Sequence, residues 1–403
     1  MASILLFNTS FQNRGDALMV RALQERVGPG HDWSVIANVA AKSSADTREL
    51  KICVASDLPG ETLKQRMFNG VVEVAATALR LMPRSWRQKT RFTLPEDIDV
   101  AFDLSGYCFG DFWGQPKVEQ ATRNYQMLRQ CGAKVVLLPR TLGPFAEISS
   151  QSLERMFEQV DLAFARDMTS LKAINDELSP TQQAKISFAP DYTHAVKPRP
   201  MSRVDFGDQR IAWLVPNHCV LTSGTLSRDE YARLLGIARE EFAKAGLRPK
   251  LLLHETSNDL DFLRDAERIG FAKDEIFITE DAVDAKTLIS GASAVVTSSL
   301  HALYNALNNL VPVTVIPWNF KYGEALGHYH CSECLVDMAR PESSLRETVQ
   351  LITDPQHIPR LKEAMRAGKQ EQIAKTEAMW ARIFAMTGLE DGATATFDRT
   401  ESR

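Results

Sequence analysis

The sequence has no run of about 20 apolar residues, so it offers no helical membrane span. Cysteine is sparse and irregularly spaced. The six present sit mostly in apolar or helical surroundings, which reads as reduced thiols in a cytoplasmic protein rather than a disulfide framework. No basic region precedes the short apolar run at the N-terminus, and no signal peptide is expected there. Charge of one sign is not in excess. The 403 residues carry a net charge of −4, which gives no reason to expect nucleic-acid binding. No internal repeat is visible.

What is present is an ordinary apolar fraction of 44%, enough for packed cores, in a chain long enough for two domains. Strand-like apolar runs fall at Ile4–Phe7, Ser34–Asn38, Val100–Leu104, Lys134–Leu138, Leu162–Ala165 and Ile186–Ala189. They continue at Arg210–Val215, Lys250–His254, Ile276–Ile278, Ala294–Thr297 and Val311–Ile316. Helical periodicity separates many of them, as at Lys117–Cys131, Ser149–Gln159, Asp229–Ala245 and Asp259–Ile269. This alternation implies an α/β fold with parallel, doubly wound sheets covered on both faces. The aperiodic Val196–Ser202, with two prolines, reads as a linker. Residues 1–195 and 203–350 then form two domains. C-terminal helices follow over 351–389, and the polar 390–403 is expected to be disordered.

The most informative segment runs from Ala294 to Lys321. A valine-rich strand ends at Thr297, Ser298 and Ser299 are helix-capping types, and Leu300, Leu303, Tyr304 and Leu307 fall at helical spacing. His301 therefore lies in the first turn of a helix at the carboxyl end of a parallel strand, where open sheets place ligands. Helix N-termini favour anions, and a histidine there stays available for proton transfer near neutral pH. The alternative is a capping histidine with no chemical role.

A second strand–loop–helix opens the chain. Ile4–Phe7 leads into Asn8–Asp16, whose single glycine, Gly15, permits a tight turn before the capping residue Asp16. Further loops sit at carboxyl ends of strands. They are Asp103–Asp111, Pro139–Phe145, Phe164–Asp167, Ala189–Asp191 and Leu253–Glu255, the last containing His254.

Two features stand apart. His328, His330, Cys331 and Cys334 place two histidines beside a C-x-x-C. This could be zinc-binding, a redox pair, or a plain loop before a strand at Cys334–Val336. Arg84, Arg87, Lys89 and Arg91, interleaved with Trp86 and Phe92, follow an apolar-faced helix candidate at Val71–Met82. They could rest on an anionic membrane, bind an anionic substrate, or form a solvated loop.

Taken in order, several segments resemble the polysaccharide pyruvyl transferase family. They are N-R-G-D at Asn13–Asp16, S-G-Y-C-F-G-D at Ser105–Asp111 and P-R-T-L-G-P-F at Pro139–Phe145. A-R-D at Ala165–Asp167, A-P-D at Ala189–Asp191, S-S-L-H at Ser298–His301 and Lys321 complete the set. The resemblance covers about residues 4 to 325. It implies two Rossmann-like domains in a GT-B-like arrangement with the active site between them. The implied activity moves the enolpyruvyl unit of phosphoenolpyruvate onto a sugar of a cell-surface or exopolysaccharide precursor and closes a pyruvate ketal.

On that resemblance His301 is the general acid and Arg166 the anion-binding arginine, while Asp16 or Asp191 accepts a hydroxyl proton or orients the sugar. Asn13, Gly15, Arg140, His254, Glu255, Ser298, Ser299 and Lys321 are expected to contact the substrates. No cofactor or metal is demanded, because phosphoenolpyruvate is a substrate and cations can meet its charge. The expected acceptor is a saccharide or lipid-linked oligosaccharide. The location is cytoplasmic, with peripheral contact at the inner membrane face and a homo-oligomer both compatible. One departure stands out: the family usually has arginine where this chain has Ser299, and Arg140 stands where glutamine is common. Arg140 is expected to supply the missing charge. Ser299 also keeps open a glycosyltransferase or other transferase with a changed donor. A non-catalytic scaffold is the third reading, disfavoured by His301, Arg166 and Lys321.

Overall fold

The computed structural model describes residues 1–9, 11, 14–37, 48–55, 63–200, 210–254, 259–279 and 281–392. Two compact units divide the chain. The first comprises Met1–Phe11, Met19–Asp191 and Lys375–Arg403; the second comprises Gln12–Leu18 and Tyr192–Ala374. Each is an α/β unit built on a parallel sheet. The boundary after Asp191 precedes the linker expected at Val196–Ser202. The long helix Ile358–Thr387 contributes residues to both units. The tail expected to be disordered falls mostly outside the described residues.

The first unit holds strands β1 (Ser3–Phe7), β2 (Asp32–Ile36), β3 (Lys51–Cys53), β4 (Phe92–Thr93) and β5 (Val100–Asp103). It also holds β6 (Tyr107–Phe109), β7 (Lys134–Leu142), β8 (Leu162–Ala165) and β9 (Ile186–Phe188). Their order is β4-β3-β2-β1-β5-β7-β8-β9, all parallel, with β6 paired to β7 beyond the end of β5. The β1, β5 and β8 strands are almost wholly buried, as expected for a sheet covered on both faces. Sequence reading missed β3 and β4, which are three and two residues long and too short to show a pattern. It also took Pro139–Leu142 for a loop, whereas β7 runs through it to Leu142.

The second unit holds β10 (Ile211–Val215), β11 (Arg248–Leu253), β12 (Ile276–Ile278), β13 (Ala294–Thr297) and β14 (Val313–Val315). Their order, β12-β11-β10-β13-β14, is the doubly wound pattern with its reversal between β10 and β13. The core centres on Trp213, Leu214, Val295 and Val296, packed beneath Leu303 and Leu307 of the Leu300–Asn308 helix. Cys334 ends a 3-10 turn, Ser332–Cys334, and not the start of the expected strand, although an isolated bridge still joins Val315 and Leu335. Among the described residues no helix is long and apolar enough to cross a membrane.

Candidate functional site

In the first unit the strand order reverses between β1 and β5, so the crevice lies beyond their carboxyl ends. Two motif segments meet there as strands, with Tyr107 in register with Thr141. Two of the three motif glycines, Gly110 and Gly143, are required. Gly143 has φ +82°, and a Cβ on Gly110 would stand 2.7 Å from the Gly143 carbonyl oxygen.

Beneath these strands sits a buried polar cluster. Asp103 accepts from Arg140 Nη2 (2.7 Å), Ser105 Oγ (2.7 Å), Asn8 Nδ2 (2.6 Å) and the Tyr125 hydroxyl. Arg140 also donates to the Asp103 carbonyl and to Ser105 Oγ. Burial disfavours a charged Asp103, yet the Arg140 guanidinium and the bonds from Tyr125 and Ser105 outweigh it and hold the carboxyl below its usual range. The same partnership raises the Arg140 pKa against its own burial. Arg140 is 0% exposed, so its charge is spent on Asp103. The expectation that it meets a donor's charge is corrected: its place is structural, fixing the turn after β5.

Arg166 differs. It ends the β8 segment with its backbone N–H on the Arg140 carbonyl, and its Nε donates to Thr141 Oγ1 at 3.0 Å. It is 5% exposed, and among the described residues no carboxylate lies within ion-pair distance. Gly106 lies beside it, and a Cβ there would stand 3.7 Å from its Nη1, an ordinary contact distance. Asp167, next in sequence, caps the Met168–Asn175 helix by accepting from the Ser170 N–H. Asp191 is buried at the end of this unit, three residues beyond β9.

An aromatic group that sequence reading missed flanks this end. Trp113 packs edge-on against Tyr107 at 6.3 Å and against Phe112 at 5.1 Å, while remaining 45% exposed. The visible signal was F-W-G directly after the S-G-Y motif.

In the second unit the reversal point carries the S-S-L-H segment. Ser299 caps the helix, its hydroxyl accepting from the Ala302 N–H at 3.2 Å, and it is fully buried. Ser298 bonds the Tyr231 hydroxyl through its Oγ (2.9 Å), while its carbonyl accepts from Trp318 Nε1 (3.1 Å) and from Tyr322. Tyr231 in turn accepts from the Asn217 N–H beyond β10, a partner not anticipated from sequence. His301 is half-buried in the first helical turn. Lys321 begins its own helix with its ammonium 5.4 Å above the Trp318 ring. Trp318 thus joins Ser298 to Lys321, while Ser299 and His301 share the strand-to-helix segment of Ser298. His254 is buried at the end of β11.

The N-R-G-D segment needs one correction. The helix begins at Arg14, so Asp16 lies within its first turn and is not its cap, and Gly15 is helical. The glycine answers a different need: a Cβ there would overlap the His301 ring. Asn13 and Glu255 fall outside the described residues.

The C-x-x-C thiols are both buried and free. Burial pushes Cys331 up to about 12 and Cys334 higher still, the opposite of a reactive pair. His330 contacts Glu371 at 3.1 Å, and among the described residues no group of three or more ligands could hold a metal.

Solved structures with this fold include the putative UDP-N-acetylglucosamine 2-epimerase of Listeria monocytogenes. It shares 15% identity over 90% of each chain, with a TM-score of 0.57. Anabaena HepE, solved with UDP-glucose, shares 11% identity over 96% of this chain and 100% of its own, with a TM-score of 0.57. The UDP-GlcNAc 2-epimerase of Neisseria meningitidis, bound to UDP-GlcNAc, shares 12% identity over 93% and 100%, with a TM-score of 0.55. These likenesses establish a GT-B-like fold of two Rossmann-like domains. No curated protein matches the sequence. The polysaccharide pyruvyl transferase model matches residues 13–319, and the chain belongs to that family.

Proposed function

We propose that the protein transfers the enolpyruvyl group of phosphoenolpyruvate to a sugar of a cell-surface or exopolysaccharide precursor and closes it into a pyruvate ketal. The observation that supports this most is Arg166. A buried guanidinium is costly, this one has no carboxylate within ion-pair distance among the described residues, and an anionic ligand relieves that cost. Phosphoenolpyruvate offers a carboxylate and a phosphate of the right charge.

In this reading His301 gives a proton to the methylene carbon, which becomes a methyl group and leaves C2 electrophilic. A sugar hydroxyl adds to C2 and gives up its proton, and the C2–O bond to phosphate breaks. A second hydroxyl of the same sugar then adds to C2, closes the ring and loses its proton. Asp16 or Asp191 takes a hydroxyl proton. Lys321 adds positive charge, and the Ser299-capped helix N-terminus directs N–H groups toward anions. The exposed face of Trp113 suits a sugar ring.

The test supplies phosphoenolpyruvate with candidate saccharides and follows phosphate release together with the new ketal methyl signal by NMR. Phosphate release that needs the saccharide and Arg166 supports the reading. Neither product forming with any acceptor, in protein that also shows no stabilisation by phosphoenolpyruvate, counts against it.

A second reading has its own support. Ser299 is a buried cap and brings no cation, where the family usually has arginine. Two of the fold neighbours were solved with UDP-sugars. A transferase using a nucleotide-sugar donor would be stabilised by that ligand and not by phosphoenolpyruvate.

A further inference from the structure

The Leu63–Arg80 helix is apolar on two opposite sides. One side is used: Val72 and Ala76 are buried against Val54 and Leu94, with Phe68, Ala75 and Leu79 alongside. The other side is not. Met67, Val71 and Val74 are 66%, 69% and 72% exposed, Ala78 is exposed, and Leu81 follows at 85%. Their spacing, four and three residues alternately, sets them in one stripe along the helix. The short Arg84–Arg87 helix that follows buries none of its residues and leaves Trp86 65% exposed. Soluble surfaces scatter such residues singly; five large or aliphatic side chains in one line are a patch with a partner.

Charge identifies the partner. Residues 63–92 hold seven lysines and arginines against a single acid, Glu73, a net charge of +6 in a chain whose total is −4. Extending to Asp99 adds Glu96, Asp97 and Asp99 and still leaves +3. Arg80 is paired with Glu96, and Asp97 holds Arg87 at 2.7 Å and Arg84 at 3.4 Å. Lys64, Arg84 and Lys89 remain exposed around the stripe. An apolar stripe, an interfacial tryptophan and a basic surround match the interface of an anionic bilayer. A second copy of the chain fits worse, because it would set two basic segments against each other.

We propose that this surface docks the protein on anionic lipid headgroups, with the stripe entering the interface and Trp86 at headgroup level. The helix leads from the carboxyl end of β3 back to the amino end of β4, so its first turns lie at the same end of the sheet as Gly106 and Arg166. A lipid-linked sugar is the form of acceptor such docking would favour; that clause alone rests on the proposed transfer.

The experiment is sedimentation of the full chain with vesicles of phosphatidylcholine alone or mixed with phosphatidylglycerol. Binding to the mixed vesicles only, weakened by added salt, is expected. Val71→Glu with Val74→Glu should abolish it, and Arg84→Ser with Lys89→Ser should weaken it about fivefold for each cation removed. These positions are exposed, and an unchanged melting temperature confirms that the variants fold. No association with either vesicle would overturn the proposal. So would undiminished binding by the Glu variant, or a dimer in solution that this variant dissolves. None of these readouts uses pyruvyl transfer, so a failed activity assay leaves the docking result intact.

Discussion

Asp103 and Arg140 form an ion pair at 2.7 Å with side-chain exposures of 1% and 0%. Removing one partner of such a pair strands the other charge. Arg140→Gln is therefore expected to cost roughly 3–5 kcal/mol of stability. Adding Asp103→Asn to it should recover part of that loss. Denaturant unfolding of the two single variants and the double measures both. A large rise in donor KM in Arg140→Gln with stability unchanged would sink this account.

The same pair sets an acid dependence. The folded-state pKa of Asp103 is depressed, so its contribution is complete above its unfolded value, about 3.9, and is lost as pH falls through the lower folded value. Melting temperature followed from pH 7 downward should fall on the acid side, and Asp103→Asn should flatten that limb. An unaltered acid limb in the variant would place the titration elsewhere.

Gly15→Ala separates fold from chemistry. The position is helical, where alanine is favoured over glycine by about 1 kcal/mol. Its methyl group would nevertheless displace the His301 ring. Stability is expected to hold while the transfer rate falls, on the order of a hundredfold. Circular dichroism melts and steady-state rates on one preparation check both halves. Normal rates would mean that the ring position does not matter to the reaction.

Local signals made much of this legible. Strands β8, β12 and β13 were found with their observed ends because each is a short apolar run between polar turns. The Ser299 cap and the place of His301 were equally local, since a helix start is written within four residues. Long-range partners were not legible. Arg140 resembles any loop cation until Asp103, 37 positions away, is found beneath it. Pro139, Arg140 and Thr141 read as turn residues, yet they lie in β7 because β6 and β8 pair on either side. Gly15 reads as a turn glycine because its real constraint, His301, is 286 residues distant in the sequence.

The C-x-x-C segment makes a simple prediction. Cys331 and Cys334 are buried, whereas Cys131 and Cys219 are partly accessible. A thiol reagent on native protein should label the latter pair first and reach Cys331 and Cys334 only on unfolding. Added zinc should leave the melting temperature unchanged. Fast labelling of Cys334, or stabilisation by zinc, would restore the redox or metal reading.

Arg166 and Trp113 should fail in different ways if the proposed transfer is right. Arg166→Ala removes a buried charge whose Nε is held by Thr141. Charge-assisted bonds contribute about 1.5–3 kcal/mol, so the KM for phosphoenolpyruvate should rise at least tenfold. The stabilisation that phosphoenolpyruvate gives to the wild type should vanish as well. Because the guanidinium has no described acidic partner, its loss strands no carboxylate, and the fold should survive. Trp113→Ala removes an exposed ring that touches Tyr107 and Phe112. It should raise the acceptor KM and leave phosphoenolpyruvate binding alone. Both variants losing phosphoenolpyruvate binding equally would mean that Trp113 shapes the donor pocket. Neither losing it, with a nucleotide sugar still stabilising the protein, would turn the assignment toward the changed-donor transferase.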